Sequence, residues 1–166
     1  SEPRVFTIVE LLIVIVVIAI LASITIVAYN GIQQQARNSQ VISGVNAYYK
    51  LISQYYIEQG SYPTQNGACL GANYPDDQCW AGQSGNRYVS AAFDAALAPY
   101  VAAKPTLASE RFSIGIGDNT RAGAVYVTSP ARIIYYLQGP TGGCVISGAS
   151  GGTEGGVVRQ CALTFN

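Results

Sequence analysis

Residues Phe6–Tyr29 read FTIVELLIVIVVIAILASITIVAY, and this stretch decides how the rest of the chain has to be arranged. From Leu11 to Tyr29 only Ser23 and Thr25 interrupt an apolar run. A helix of this length could cross a hydrocarbon core about 30 Å thick. Because lipid offers no partner to backbone N–H and C=O groups, a single segment that crosses it has to be helical. The stretch therefore predicts an apolar helix that rests in a membrane or among other protein chains.

A carboxylate stands at the amino-terminal edge of this run. Glu10 is followed by an unbroken series of apolar residues, and an ionised group at membrane depth normally has a partner. The alternative is a carboxylate at the level of the lipid headgroups, where the positive end of the helix dipole favours it without any partner. Either way, Glu10 distinguishes this helix from a plain anchor.

The helical pattern continues well beyond the apolar run. Apolar residues recur at spacings of four, three, four and three along one helix face: Val41, Val45, Tyr48, Ile52 and Tyr55. We expect one helix from about Phe6 to about Gln59, ended by Gly60 with Pro63 close behind. Gly31 and Gly44 are expected weak points within it, each about 1 kcal/mol less favourable than alanine if exposed.

The period changes in the second half of the chain. Residues 61–105 are rich in Gly, Asn, Asp and Pro, which predicts an irregular loop followed by a short helix near Ser90–Val101 with Ser90 as its N-cap. Four short runs of β-branched and aromatic residues then predict strands at Arg111–Ile116, Ala124–Thr128, Ile133–Leu137 and Val157–Phe165. They would form a small antiparallel sheet that needs an apolar partner on one face, and the helix stripe supplies it.

The predicted fold class is thus α+β, with a long amino-terminal α-helix packed on a small antiparallel β-sheet. Three parts follow along the chain. Residues 1–5 form an amino-terminal extension, residues 6–30 form the hydrophobic half of the helix, and residues 31–166 form a globular domain.

Composition argues against enzymatic chemistry. The 166 residues carry zero net charge, only 11% are charged, and there is no histidine, the commonest general base and metal ligand. No P-loop lysine follows the glycine-rich stretch Gly139–Gly156, and the carboxylates form no recognisable acid/base pair. Gly117-Asp118-Asn119 favours a turn over a Ca²⁺ site. We predict no catalytic residues, no cofactor and no metal.

The tyrosine cluster of the long helix has two readings. Tyr48, Tyr49, Tyr55 and Tyr56 could stack on single-stranded nucleic acid, but no groove of Lys and Arg accompanies them. Packing between helix and sheet, or between subunits, is the favoured interpretation.

Four cysteines follow the apolar segment. None has the short spacing of a zinc or redox motif, so two disulfides in an oxidising compartment are favoured over four reduced thiols. Of the three connectivities, the sequence-local one is preferred: Cys69 with Cys79 and Cys144 with Cys161. Each loop of that size would stabilise the fold by roughly 3 kcal/mol in the chain-entropy model.

The segment Phe6–Ala22, FTIVELLIVIVVIAILA, resembles the amino terminus of type IV pilins and the related pseudopilins, in which Phe, Thr and Glu open a long apolar helix. Gly60-Ser61-Tyr62-Pro63 resembles the G-x-Y-P signature that follows the helix in that family. Cys144…Cys161 is similar to its carboxy-terminal disulfide-bounded region, and the order of helix, loop and sheet is similar as well. The resemblance implies a subunit that waits in the cytoplasmic membrane and then enters a helical filament, with the apolar half-helix buried in the filament core.

The resemblance also implies assembly roles for individual residues. In the family, the Glu that matches Glu10 pairs with the amine of a neighbouring subunit's first residue, which corresponds to Phe6. Here Val5 stands where the leader peptidase expects Gly, so the Ser1 amine or Arg4 could replace that amine, or the carboxyl could be neutral. Phe6, Glu10 and Arg4 are the predicted assembly residues.

Two further departures from the family concern the helix itself. Ala19 and Val27 stand where Gly and Pro are common in the family. Because Gly and Pro favour local melting, we expect this helix to be more continuous there.

The expected function is that of a major pilin, a structural subunit of an extracellular type IV pilus used for adhesion, twitching motility or DNA uptake. The alternatives are a pseudopilin of a type II secretion-like system and a single-pass membrane-anchored surface domain. Expected partners are identical subunits, the cytoplasmic membrane before assembly and the pilus assembly machinery. A host-cell surface or DNA could contact the loops Thr64–Tyr88 and Gly139–Gly156. The expected location is the bacterial cell surface.

Overall fold

A computed structural model describes residues Ser1–Asn166, which divide into two compact units, Ser1–Ala36 and Arg37–Asn166. The predicted α+β class is confirmed: a long helix contributes to both units, and the second unit adds a nine-stranded sheet.

The long helix, α1, runs from Ile8 to Gln59 without interruption, including the stretch from Ala19 to Val27. Gly60 ends it as predicted. Its φ is +72°, and its N–H donates to the Tyr56 carbonyl at 2.8 Å, the geometry of a left-handed glycine that closes a helix. Continuity of Ala19–Val27 within an assembled filament stays a prediction.

The polar interruptions of the apolar run are satisfied within the helix. The Ser23 hydroxyl donates to the Ile20 carbonyl at 2.7 Å, and the Thr25 hydroxyl donates to the Ala22 carbonyl at 2.9 Å. Neither hydroxyl therefore needs water or a partner outside the helix, and the segment stays compatible with an apolar environment.

The sheet comprises β1 (Ala68–Leu70), β2 (Gln78–Ala81), β3 (Arg87–Val89), β4 (Phe112–Ser113), β5 (Thr120–Arg121), β6 (Ala124–Thr128), β7 (Ala131–Gln138), β8 (Ser150–Glu154) and β9 (Val158–Thr164). Their spatial order is β4-β5-β2-β3-β1-β6-β7-β9-β8, and every pair is antiparallel except β1 with β3. A short helix, α2 (Ala91–Leu97), lies between β3 and β4 in the chain. As predicted, Ser90 caps α2, its hydroxyl oxygen accepting from the Phe93 N–H at 3.2 Å.

Parts of the predicted sheet and loops were wrong in extent. The region predicted as an irregular loop holds β1, β2 and β3. These strands of three or four residues show no alternation in the sequence, and they form by pairing with one another and with β5 and β6. The predicted strand Arg111–Ile116 shrinks to Phe112–Ser113. The stretch Gly139–Gly156 contains β8, and Thr64–Tyr88 is not an exposed loop, since it includes buried residues such as Cys69 and Leu70.

The main core lies between α1 and one face of the sheet. The predicted stripe forms the helix side: Val41, Val45, Tyr48 and Ile52 are buried and Tyr55 is half-buried. Along β7, Ile133, Tyr135 and Leu137 belong to this core, whereas Ile134 and Tyr136 belong to a second core on the opposite face. The alternation follows from the two-residue period of a strand, and both faces of the sheet are covered.

Gly44 corrects one expectation. It is buried rather than an exposed weak point, and a Cβ atom there would lie 2.4 Å from Leu107 Cγ and 2.8 Å from the Thr106 carbonyl oxygen. The segment containing Leu107 therefore approaches α1 as closely as it does because residue 44 has no side chain. Gly31, in contrast, has open space around it.

Two disulfides lie in different parts of the sheet unit. Cys69 of β1 is bonded to Cys79 of β2, with their Cα atoms 5.7 Å apart. Cys144 is bonded to Cys161 of β9, with their Cα atoms 5.6 Å apart. Cys69, Cys79 and Cys161 are fully buried, so both bonds also contribute to the cores.

The second core contains one buried cation. Arg121 of β5 is only 3% exposed, and its guanidinium carbon lies 4.5 Å from the centre of the Trp80 ring and 5.7 Å from that of Tyr136. It also donates to the Ser84 hydroxyl at 2.8 Å. Aromatic faces, a hydroxyl and the Thr120 carbonyl, which accepts from Arg121 at 2.9 Å, thus hold the charge without a carboxylate in contact. Desolvation strengthens such cation–π contacts.

Alkaline pH is expected to unfold the sheet unit. Burial raises the pKa of Tyr48, Tyr126, Tyr135 and Tyr136 to about 12 each, above the value near 10 expected in an unfolded chain. Between pH 10 and 12 the unfolded state releases phenolic protons that the folded state retains, so stability falls as pH rises, by on the order of 1 kcal/mol per pH unit for each tyrosine.

This expectation is checked by following tyrosinate absorbance and near-ultraviolet circular dichroism together on the full chain in detergent. Ionisation of the buried tyrosines should coincide with loss of the near-ultraviolet signal. Stability should be unaffected by these groups below about pH 9. Ionisation of all tyrosines near pH 10 with the fold intact would contradict the prediction.

Candidate assembly interface

The apolar half of α1 presents a continuous hydrophobic surface. Between Leu11 and Tyr29, fourteen large hydrophobic side chains are exposed by 47% (Val17) to 75% (Val27). None of the side chains in the most apolar part of this helix is buried, and the helix is long and apolar enough to cross a membrane by length and composition. Soluble monomers rarely expose so large an apolar patch, so the segment requires lipid or other chains around it.

The first turn of α1 is closed by Thr7 and Glu10. Glu10 Oε2 accepts from the Thr7 backbone N–H at 2.8 Å and from the Thr7 hydroxyl at 2.7 Å. In return, the Glu10 N–H donates to the Thr7 hydroxyl oxygen at 3.3 Å. This reciprocal arrangement is a capping box, in which Thr7 is the N-cap and Glu10 the third helical residue.

The predicted assembly residues do not meet within one subunit. Arg4 and Phe6 lie in the non-helical residues that precede α1, and Phe6 is 77% exposed. The ion pairs of the chain join Arg37 to Glu110, Lys104 to Asp94 and Arg111 to Asp76, so neither Arg4 nor Glu10 takes part in one. One oxygen of Glu10 is engaged by Thr7, and its pairing with a neighbouring chain stays a prediction.

Sequence reasoning missed Thr7 as a partner of Glu10. The signal was present, because T-x-x-E immediately before an apolar run is the pattern of a capping box. A carboxylate held in this way is oriented before any second chain arrives. Local capping and intersubunit pairing are therefore compatible roles for the same side chain.

The turn considered for calcium uses its side chains to join two loops. Asp118 Oδ1 accepts from the Gln83 N–H at 3.3 Å, and Asn119 Oδ1 accepts from the Ser84 N–H at 2.9 Å. Asn119 Nδ2 donates to the Ile116 carbonyl at 2.8 Å. No group of three or more His, Cys, Asp or Glu residues with the geometry of a metal site occurs in the chain.

The carboxy-terminal disulfide loop is held by a residue that sequence reasoning did not single out. Arg159 of β9 donates to the carbonyls of Gly139 at 3.2 Å, Gly143 at 2.9 Å and Gln138 at 3.3 Å. The Tyr135 hydroxyl donates to the Cys144 carbonyl at 2.5 Å. These bonds keep residues 138–144 against the sheet, so the loop presents a defined surface.

The tyrosines of α1 pack within the subunit. Tyr49 stacks on Phe165 with ring centres 4.6 Å apart, and Tyr56 stacks on Tyr62 at 4.3 Å. Tyr55 meets Tyr100 edge to face at 5.9 Å. The packing interpretation of the tyrosine cluster is confirmed for these rings, and Tyr62 of the G-S-Y-P motif is one of the residues involved.

Several curated proteins are similar to part of this chain. The type IV major pilin protein PilE1 of Neisseria gonorrhoeae is 32% identical over 72 residues, which are 43% of this chain and 44% of the relative. A fimbrial protein of Neisseria meningitidis serogroup A is 33% identical over 61 residues, 37% of this chain and 36% of the relative. Fimbrial protein EcpC of Eikenella corrodens is 35% identical over 63 residues, 38% and 41% of the respective chains.

In each of these comparisons the matched region spans less than half the length of the relative. No protein-family model matches the chain, and no solved structure is significantly similar to it. The relatives carry pilin and fimbrial names, and the chain has the long amino-terminal helix on a mostly antiparallel sheet that is consistent with the pilin fold. Together these findings support a place for the chain in the type IV pilin family.

Proposed function

We propose that this chain is the structural subunit of an extracellular type IV pilus, a filament built from many identical copies. The observation that carries the proposal is the exposed apolar half of α1, because fourteen large hydrophobic side chains cannot stay in water. Lipid surrounds this segment before assembly, and the same segment of other copies surrounds it afterwards. A contact between different surfaces of identical subunits need not close on itself, which is what a filament requires.

We propose that Glu10 guides this assembly. A carboxylate that enters the apolar interior of a filament needs a compensating cation, since an unpaired buried charge is strongly unfavourable. Phe6 precedes the helix, and Arg4 supplies a guanidinium within six residues of the carboxylate along the chain. We propose that Arg4, or the free amine at the mature amino terminus, of one copy approaches Glu10 of the next.

The use of the filament would be decided by its outer surface. Adhesion, twitching motility and DNA uptake are the proposed uses. The globular unit offers exposed segments within residues 82–86 and 139–149, the latter fixed by Arg159 and by the Cys144–Cys161 disulfide. Rigid presentation of a loop is typical of binding surfaces.

The proposal is tested by expressing the chain in a bacterium that carries a type IV pilus assembly machinery and lacks its own major pilin. Long filaments sheared from the cells should consist mainly of this chain. Mass spectrometry of those filaments would give the first residue of the mature subunit and the disulfide pairing. Recovery of the chain only in the cell membrane, or only as a trace component of filaments, would contradict the proposed role.

A further inference from the structure

One end of the nine-stranded sheet is open. β8, with the sequence SGGTE, pairs with β9 at five consecutive positions from Ser150 opposite Ala162 to Glu154 opposite Val158. It has no strand on its other side. Apart from β9 and the turn bond between the Val157 N–H and the Glu154 carbonyl, no hydrogen bond reaches the backbone of residues 150–154. The outward N–H and C=O groups of β8 are therefore available.

This edge lacks most of the features that normally block pairing between sheets. Natural edge strands are commonly very short or carry lysine, proline or a bulge, because open backbone groups recruit other chains. β8 has neither lysine nor proline, its register with β9 is regular, and residues 150–153 are exposed. Its one charged residue, Glu154, is half-buried at the end of the strand and has one carboxylate oxygen turned inward. The opposite end of the sheet, β4, is only two residues long and so is already blocked by its length.

We propose that β8 pairs in antiparallel orientation with β8 of a second copy of this chain. The strand itself is the segment of the chain that fits best, because the only other edge, β4, offers two residues against five. A two-fold axis would pair the same strand on both copies and cover both open edges at once, as isologous contacts do.

The sequence of β8 is compatible with this self-pairing. A register centred on Gly152 places Gly152 opposite its own counterpart, Gly151 opposite Thr153 and Ser150 opposite Glu154. The two Glu154 residues are then at opposite ends of the paired strands, so no carboxylate stands opposite another. Two glycines at the centre leave nothing to obstruct the approach of the second backbone.

The contact rests on the proposed function for its biological role, although two isolated subunits could also form it. A five-residue edge pairing is weak alone, since isolated two-stranded pairings are marginal in water. In filaments the same edge is repeated along the length, and repetition converts a weak contact into firm association. β8 pairing would thus join neighbouring filaments side by side.

The test exploits the symmetry at residue 152. A Cβ atom at Gly152 would meet no other atom within 4 Å, so a side chain there leaves the subunit intact. In the proposed pair, Gly152→Lys places two ammonium groups opposite each other and Gly152→Glu places two carboxylates opposite each other. Like charges at directly opposed positions destabilise strand pairing, and unlike charges support it. Gly152→Ala is the matched uncharged control.

Association is measured by sedimentation of the full chain in detergent at high subunit concentration, and by electron microscopy of filaments where they form. Gly152→Lys alone and Gly152→Glu alone should each weaken association several-fold. An equimolar mixture of the two should restore it to at least the level of Gly152→Ala. Near-ultraviolet circular dichroism checks that each variant retains the native fold.

The sedimentation measurement does not require filaments, so it tests the β8 contact even if the proposed pilus function is wrong. Association that is the same for the Lys, Glu and Ala variants would overturn the β8 contact, whether or not filaments form. Loss of association in both charged variants without recovery in the mixture would overturn the two-fold register. Such a result would mean that residue 152 does not stand opposite its own counterpart and that a different segment pairs with the edge. Filaments that form but never associate laterally in the native chain would overturn the proposed biological role of the contact.

Discussion

Replacing Glu10 with glutamine is expected to lower filament yield at least about tenfold while leaving the start of α1 intact. Loss of one partner of a buried ion pair generally costs more than about 1.4 kcal/mol, the free energy that corresponds to a factor of ten. Glutamine keeps a side-chain oxygen for the Thr7 N–H and hydroxyl, which now bond Glu10 at 2.8 and 2.7 Å. What it removes is the charge that the proposed assembly requires. Yield is measured as sheared filament per cell, normalised to subunit in the membrane.

Two companion variants separate the charge from the cap. Thr7→Val removes the hydroxyl from the capping box but keeps the carboxylate, so it should cost about 1 kcal/mol of helix-start stability and lower filament yield only modestly. Glu10→Ala removes both functions and should be at least as defective as Glu10→Gln. Native yield from Glu10→Gln, with a low yield from Thr7→Val, would show that Glu10 acts only as a local cap.

Replacing Gly44 with alanine is expected to destabilise the sheet unit by about 1–3 kcal/mol, the usual cost of overpacking a core. The added Cβ would come within 2.4 Å of Leu107 Cγ and 2.8 Å of the Thr106 carbonyl oxygen. Because one of these contacts is with backbone, a change of the Leu107 rotamer alone cannot relieve the crowding. Thermal unfolding of the full chain in detergent, followed by near-ultraviolet circular dichroism, measures the loss.

Gly31→Ala is the matched control in the same helix. Its Cβ would meet nothing within 4 Å, so the higher helix propensity of alanine should leave stability unchanged or raise it by up to about 1 kcal/mol. Destabilisation by Gly31→Ala equal to that by Gly44→Ala would mean that the effect belongs to α1 in general and not to its contact with Leu107.

Both glycines looked alike in the sequence, since each interrupts a helical pattern and each is a poor helix former. Only the packing of residues 106–107 against α1 separates them, and that contact joins positions more than sixty residues apart in the chain. The role of Arg159 likewise depends on tertiary structure. It lies in a predicted strand, and nothing in the sequence indicated that its guanidinium would donate to three carbonyls of residues 138–143.

The long helix and its end were determined by local signals. The apolar run of Phe6–Tyr29, the stripe that starts at Val41 and the stop at Gly60 depend on side-chain period and backbone freedom, which neighbouring residues carry by themselves. Strands β6, β7 and β9 were likewise predicted, because their β-branched and aromatic runs are long enough to show.

Strands β1, β2, β3, β5 and β8 were decided by the tertiary structure. Each is two to five residues long, and β8 consists largely of glycine and small polar residues that favour no strand. They exist because a neighbouring strand offers unpaired backbone groups, and the Cys69–Cys79 disulfide in addition ties β1 to β2. The sequence alone thus determined an apolar helix that requires lipid or other chains around it. Only the folded chain revealed the open edge at β8, because whether a strand has one neighbour or two depends on how all the strands of the sheet are ordered.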